Sequence, residues 1–281
     1  MKMSVLVKLR EYHTLSNSEN EVRMYILRNS KKVISMSTQE LAAKSYTSPA
    51  TVIRLCKRLE LKGYSELKIQ LASEIKAFET MNLDVVDQTT FKKGDSLTEL
   101  IDKVTDISIH SIEETRLLLD YEVLLCVARQ IMDASIIDLY GVGASNNIAF
   151  DAGYKFMRIG KSISCLSLID RQRIQAINSD SSHFAIIISY SGETPEIIEI
   201  AKILEKNNVP AVSITGSIQN QLVNLVEYNL FVSSRESNFR NGAIVSRTST
   251  LYMLDLIYIT CISLNYDDSA KRLGQTLTIS K

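Results

Sequence analysis

Ala185–Ile198 reads AIIISYSGETPEII, and the fold turns on how this stretch is read. Ala185 to Ser189 is a short apolar run closed by a hydroxyl, the pattern of a buried strand. Pro195 suits the first position of a helix, where a missing N–H costs nothing, and Thr194 stands where an N-cap belongs. The turn between strand and helix gathers Ser189, Ser191 and Thr194, and Gly192 lets the backbone come close. Unpaired N–H groups and the positive end of the helix dipole attract an anion at such a place. The hydroxyls add donors without adding charge, which suits reversible holding of a phosphate. The same residues also describe an ordinary strand-to-helix turn with a good cap, so this stretch alone leaves both readings open.

A second stretch has the same layout. Ile136–Tyr140 (IIDLY) is strand-like and runs into Gly141-Val142-Gly143-Ala144-Ser145, with a helical pattern from Asn146 to Ile159. As a dinucleotide fingerprint it fails, because G-x-G-x-x-G wants a third glycine where Asn146 stands. As half of a sugar-phosphate pocket it works. Ligands of open parallel sheets bind at the carboxyl ends of strands, where Ser145 can meet the Ser189–Thr194 turn. The pair of turns, G-V-G-A-S and S-Y-S-G-E-T, resembles the sugar isomerase (SIS) domain, and both stand here without a gap.

Bulk properties narrow the setting. The 281 residues are enough for two domains, and 45% hydrophobic with 23% charged residues is the composition of a soluble globular protein. Cys56, Cys126, Cys165 and Cys261 lie far apart with no C-x-x-C pair, which reads as reduced thiols in a cytoplasmic protein. No apolar run reaches membrane-spanning length, and MKMSVLVKLR is charged too early for a signal peptide, so no membrane partner is expected. Net charge is zero, yet the two parts differ. Residues 1–76 carry 14 Lys+Arg against 7 Asp+Glu, and the remainder 18 against 25. A basic N-terminal module joined to an acidic larger one suggests that the first alone meets nucleic acid.

The N-terminal residues support this. Ser16-Asn17-Ser18-Glu19 and Ser37-Thr38-Gln39-Glu40 both have capping-box form. The first opens a helix running to about Asn29, followed by a short link holding Val33, Ile34 and Met36. The second opens a short helix to Lys44. After Ser45-Tyr46-Thr47, Ser48-Pro49 caps and starts a third helix to about Glu60, and Leu67 to Phe78 continues as a fourth. Short helix, tight turn, longer helix is the helix-turn-helix arrangement. In the third helix Val52, Leu55, Cys56 and Leu59 recur at i, i+3, i+4, i+7 and face the core. Thr51, Arg54, Lys57 and Arg58 are assigned to the outward side. Arg54 is the candidate for a base edge, since a guanidinium pairs bidentately with guanine. Ser48 and Thr51 are placed to bond phosphates or bases, while Lys44, Lys57 and Arg58 hold the phosphate backbone.

Residues 15–75 resemble the N-terminal domain of RpiR-family transcriptional regulators, through S-T-Q-E-L-A, S-P-A-T-V-I-R-L-C-K-R-L and K-G-Y-S-E-L-K. One departure is Tyr46, where members of that family commonly have glycine. A left-handed backbone costs a tyrosine about 1 kcal/mol or more, so either the turn differs or the side chain gains from packing.

Periodicity is lost from Thr80 to Asp95, giving a linker over 79–95 between a helix-turn-helix domain at 1–78 and a second domain at 96–281. Ser96-Leu97-Thr98-Glu99 is another capping box and opens a long amphipathic helix, with a second at Tyr121–Met132. Strands are then expected at 136–140, 163–168, 184–189, 211–215 and 228–232. Helices are expected near 146–159, 171–178, 195–207 and 218–226, and a long apolar one over 249–264. This alternation implies a parallel sheet flanked by helices, an α/β domain of three layers behind an all-α one. Thr215-Gly216-Ser217 ends a strand on the same edge as both motif turns.

From about residue 15 to 265 the layout resembles RpiR regulators, which implies a DNA-binding regulator whose SIS domain binds a phosphosugar effector. Carried over from the motifs, Ser145, Ser189, Ser191 and Thr194 donate to the phosphate, with Gly192 in the same effector site; Glu236 and Arg240, outside the motifs, are candidates for the sugar end. Operator DNA and a second copy of the chain, as homodimer or higher oligomer, are the expected partners. No cofactor, metal or catalytic residue is expected. The rival reading is a phosphosugar isomerase or lyase with an accessory helical domain, for which Glu193, Glu236 and Lys155 are the available acid–base groups. A third is a purely structural SIS dimer whose helical domain binds protein.

Overall fold

The computed structural model describes residues 5, 8–9, 15–80, 91–216, 220–233 and 243–277. The chain forms two compact units, Lys2–Asp106 and Ile107–Lys281, and the dividing point falls inside one helix, Leu97–Leu118. Of the expected linker, residues 81–90 lie outside the described residues, as do Ser217, Glu236 and Arg240.

The first unit holds α1 (Asn17–Arg28), α2 (Ser30–Val33), α3 (Thr38–Lys44), α4 (Pro49–Arg58) and α5 (Tyr64–Thr80). Both capping boxes form: Ser16 with Glu19 starts α1, and Ser37 with Glu40 starts α3. The link expected after α1 contains the four-residue α2. Val22, Ile26, Leu41, Val52, Leu55, Cys56, Leu59, Leu67 and Leu71 are buried together, as the helical spacing requires. Tyr64 closes the bottom of this core, its hydroxyl donating to the carbonyls of Val33 (3.1 Å) and Met36 (3.2 Å).

The second unit contains most of α6 (Leu97–Leu118), then α7 (Tyr121–Asp133), β1 (Ile136–Gly141), α8 (Ala144–Arg158), β2 (Ser162–Cys165) and α9 (Ile169–Asn178). These are followed by β3 (His183–Ile188), α10 (Pro195–Lys206), β4 (Ala211–Thr215), β5 (Tyr228–Phe231), α11 (Ile244–Leu264) and α12 (Tyr266–Leu277). All strand pairs are parallel and the order is β2-β1-β3-β4-β5. Alternation along each strand divides the core into two. Ile137, Leu139, Ile186, Ile188 and Val212 pack under α7, α8 and α11, with Val127, Phe156 and Met253 among the buried partners. Tyr140, Ala185, Ile187 and Ala211 pack on the other face under α9 and α10, against Ala176, Ile200, Ala201 and Leu204. This is the expected three-layer α/β arrangement, with the central strands largely apolar on both faces because both faces are covered; buried exceptions such as Asp138 and Ser213 are hydrogen-bonded.

Besides α2, two elements differ from the expectation. In place of a helix over 218–226, the described residues hold only a 3-10 turn, Leu222–Asn224. The Oδ1 of Asn220 accepts the Val223 N–H (3.1 Å) at the start of this turn. The final helix α12 was not expected from periodicity.

Candidate functional site

The strand order places a topological switch point between β1 and β3: the chain crosses from β1 toward β2 on one side and from β3 toward β4 on the other. Gly141 pairs with Ile188, so the two motif turns leave the same edge of adjacent strands. In open α/β sheets this crevice is where ligands bind. The order 2-1-3-4-5 is the one the general rule gives for flavodoxin-like sheets.

Each turn is built for close approach. A Cβ on Gly141 would lie 2.9 Å from the Ser145 carbonyl carbon, so only glycine lets the start of α8 fold back onto the strand end. Gly143 is the N-cap of α8, with φ +60° and no side chain to cap the helix. Ser145 sits in the first turn, half-buried. The second turn follows Ser189, which is buried and whose N–H donates to Ile214 of β4 (3.1 Å). Thr194 is the N-cap of α10 and Pro195 its first residue, as read from the sequence. The Thr194 hydroxyl does not cap its own helix; it lies 3.2 Å from the Ser189 Oγ. Ser191 is exposed and its Oγ accepts the Glu193 N–H (3.2 Å). The helices that follow β1, β2 and β3 all lack a side-chain cap, so their N-terminal N–H groups face this edge.

Residues that the motifs did not single out fix the two turns. Gln172 is buried and bridges Gly141, donating to its carbonyl (2.9 Å) and accepting its N–H (3.3 Å), while also donating to the Leu166 carbonyl (2.9 Å). Asn220 lies against Gly192 and donates to Thr215 Oγ1 (3.1 Å). Gln221 binds Glu193 twice, through its N–H (2.8 Å) and its side-chain amide (2.6 Å). Lys155 pairs with Asp151 and Asp255. His183 stands at the opposite, amino edge of the sheet, its Nδ1 2.8 Å from the buried Asp138 carboxylate.

The second candidate surface is α4. Ser48 caps it by accepting the Thr51 N–H (3.2 Å), and the two hydroxyls are 3.0 Å apart. Thr51 is therefore buried rather than outward, a correction to the helical-face assignment: the cap draws it in toward Ser48. Arg54, Lys57, Arg58 and Lys44 are exposed as expected. The two arginines are not loose, however. The Nε of Arg54 (3.1 Å) and the Nε of Arg58 (2.9 Å) both bind Oε1 of Glu19 on α1. Ile53, which the sequence reading left out, is exposed on the same helix. Tyr46 adopts φ +53° and is 96% exposed, so the left-handed turn is retained and no packing offsets its cost.

Burial pushes the Glu19 carboxyl up, but the Ser16 hydrogen bonds and the two guanidiniums outweigh it and hold the group below the ordinary 4.5. A depressed folded-state value stabilises above the unfolded value and is lost as pH falls through the folded one. The protein's stability to denaturant should thus decline as pH falls below the ordinary 4.5, and Glu19→Gln should weaken that dependence; denaturant unfolding followed by circular dichroism at a series of pH values measures it.

Residues 130–260 match the SIS domain family, and residues 3–77 match the helix-turn-helix domain of the rpiR family. Over 275 residues the chain is 35% identical to an uncharacterised HTH-type transcriptional regulator of Caldanaerobacter subterraneus subsp. tengcongensis, covering 97% of this chain and 95% of that one. The chain belongs to the rpiR family. A second such regulator, from Haemophilus influenzae, is 30% identical over 268 residues, with 95% and 93% covered. Among solved structures, the Vibrio vulnificus NanR protein complexed with ManNAc-6P is 26% identical and covers 98% of this rpiR-family chain and 97% of its own, with a TM-score of 0.61. The sugar isomerase domain of an RpiR transcription factor from Sphaerobacter thermophilus, at 14% identity, shares the fold over 63% of this chain and 98% of its own, with a TM-score of 0.57. This rpiR-family member is thus a helix-turn-helix transcriptional regulator with a SIS domain. Among the described residues no helix is long and apolar enough to cross a membrane.

Proposed function

We propose that the SIS domain binds a phosphosugar in the β1/β3 crevice and that its occupancy changes the affinity of α4 for operator DNA. The observation that carries this is the strand order, which brings Ser145 and the Ser189–Thr194 turn to one switch point. The ManNAc-6P held by NanR supports the ligand class. Of the groups available for acid–base work, Glu193 is engaged by Gln221 and Lys155 by two aspartates, which favours sensing over turnover; Glu236 lies outside the described residues. A homodimer belongs to the same reading. Phe150, Tyr154 and Met157 are exposed on α8 at i, i+4, i+7 spacing, an apolar stripe suited to a second copy. The test is thermal unfolding over a panel of glucose, fructose and glucosamine 6-phosphates and ManNAc-6P. One member should raise the melting point without being consumed, since a compound bound only by the native state stabilises it. Turnover of any member would establish the isomerase or lyase reading instead.

On the DNA side, Arg54 and Arg58 are anchored to Glu19 through Nε, which fixes their guanidiniums against α1 and suits phosphate holding as well as base contact. Ile53 supplies an apolar group on the outward face, the kind that reads a thymine methyl. Losing one buried methyl costs about 0.8 kcal/mol, or roughly fourfold in affinity. Scanning a selected operator with uracil in place of thymine should find a position costing that much, and Ile53→Ala should abolish the difference there.

A further inference from the structure

We propose that Ser233 is the residue through which the phosphate turn reports its occupancy to α6; this rests on the phosphosugar reading above. Tyr190 lies between Ser189 and Ser191, inside the turn, and is held at both ends. Its carbonyl accepts the N–H of Gly216 (2.9 Å) and the hydroxyl of Thr215 (3.3 Å), and its own hydroxyl donates to the Ser233 carbonyl (3.0 Å). Ser233 follows β5 and is 1% exposed. It then spends its remaining polar groups on α6: its N–H donates to Thr115 Oγ1 (3.0 Å) and its Oγ to the Glu114 carboxylate (2.7 Å). Glu114 and Thr115 are themselves buried, and the Thr115 hydroxyl continues to the Ser111 carbonyl one turn earlier (2.7 Å).

Every link of this series is a hydrogen bond between buried or half-buried groups, where leaving a donor or acceptor unpaired is costly. The series therefore shifts between discrete arrangements rather than relaxing gradually. A phosphate drawn to Ser189 and Ser191 acts on the backbone that carries Tyr190, and Ser233 passes that displacement to two consecutive residues of α6. That helix runs on toward its start at Leu97, through the point where the chain divides into its two units. A sugar that favours one arrangement of the series shifts the regulator, whereas one that binds both equally would change nothing.

The full-length protein tests this through Ser233→Ala and Thr115→Val, with the panel phosphosugar that gives the largest thermal shift as probe. Calorimetry measures sugar affinity, and fluorescence anisotropy measures operator affinity with and without saturating sugar. Wild type should show an operator-affinity ratio between the two conditions of about 5- to 150-fold, the usual span of coupling between sites. Each variant cuts one of the two bonds from Ser233 to α6. Both should therefore keep sugar affinity within about threefold, keep sugar-free operator affinity and lower the ratio, and the double variant should bring it close to one. A wild-type ratio in both folded variants overturns the proposal, as does loss of sugar affinity alongside the ratio, which would place Ser233 in the pocket itself. Should either variant fail to fold, Tyr190→Phe interrupts the same series at its first link, and an unchanged ratio there has the same meaning. Wild type that binds no panel member overturns the phosphosugar reading first, a result seen before any variant is made.

Discussion

Ser189→Ala combined with Thr194→Val is expected to lower phosphosugar affinity at least about a hundredfold while operator binding survives. The two hydroxyls lie 3.2 Å apart at the edge of β3 and the start of α10, where a phosphate would take a hydrogen bond from each. A hydrogen bond to a charged group contributes about 1.5–3 kcal/mol, so losing two removes roughly 3–6 kcal/mol of binding. Folding should suffer little. Ser189 and Thr194 face each other, and removing both partners together leaves neither orphaned. Valine also keeps the shape of threonine at an N-cap whose hydroxyl makes no capping bond. The melting point of the sugar-free variant should therefore stay near wild type, while calorimetry shows no sugar binding and the operator response disappears. Retention of full affinity would place the pocket elsewhere on the molecule.

How much of this was legible in the sequence follows from the range of the forces involved. The two motif turns could be read because their determinants are local: Pro195 at a helix start, a hydroxyl at the N-cap, small residues where chain segments meet. The capping boxes at Ser16, Ser37 and Ser96 were equally local, and each forms. What the sequence does not display is who sits beside whom across the chain. Arg54 and Arg58 meet Glu19 across 35 and 39 residues, so the recognition helix reads as loose cations until the fold is known. Asn220, Gln172 and Ser233 belong to no motif, and each acts on a segment far from its own. Thr51 departs from the helical pattern for a different reason. It sits beside the buried stripe, and a hydroxyl bonded to Ser48 is drawn inward where periodicity alone sends a polar residue out. The apolar residues around 218–226 have helical spacing, which does not distinguish a full helix from the 3-10 turn Leu222–Asn224 that forms there.

Gly192→Ala should be the most damaging single change in the pocket, and the reason is specific enough to be tested by rescue. Gly192 has φ +64°, which costs an alanine about 1 kcal/mol or more. Its added Cβ would also lie 2.1 Å from Cγ of Asn220, so Asn220 must move. Asn220 is buried and bonds both Thr215 Oγ1 and the Val223 N–H, each at 3.1 Å. Displacing it forfeits two hydrogen bonds worth about 1 kcal/mol each. The sum, roughly 3 kcal/mol, corresponds to a fall of about 6–12 °C in the melting point of a unit this size. Ligand affinity should fall with it, because Ser191 and Thr194 flank the displaced backbone. Asn220→Ala alone should also destabilise, through the same lost bonds. In the double variant the collision is gone and the bonds are lost only once, so the combined cost should be well below the sum of the two single costs. Strict additivity, measured by thermal unfolding of all four proteins, would mean that Asn220 does not press on Gly192 and that the glycine is needed for its backbone angle alone.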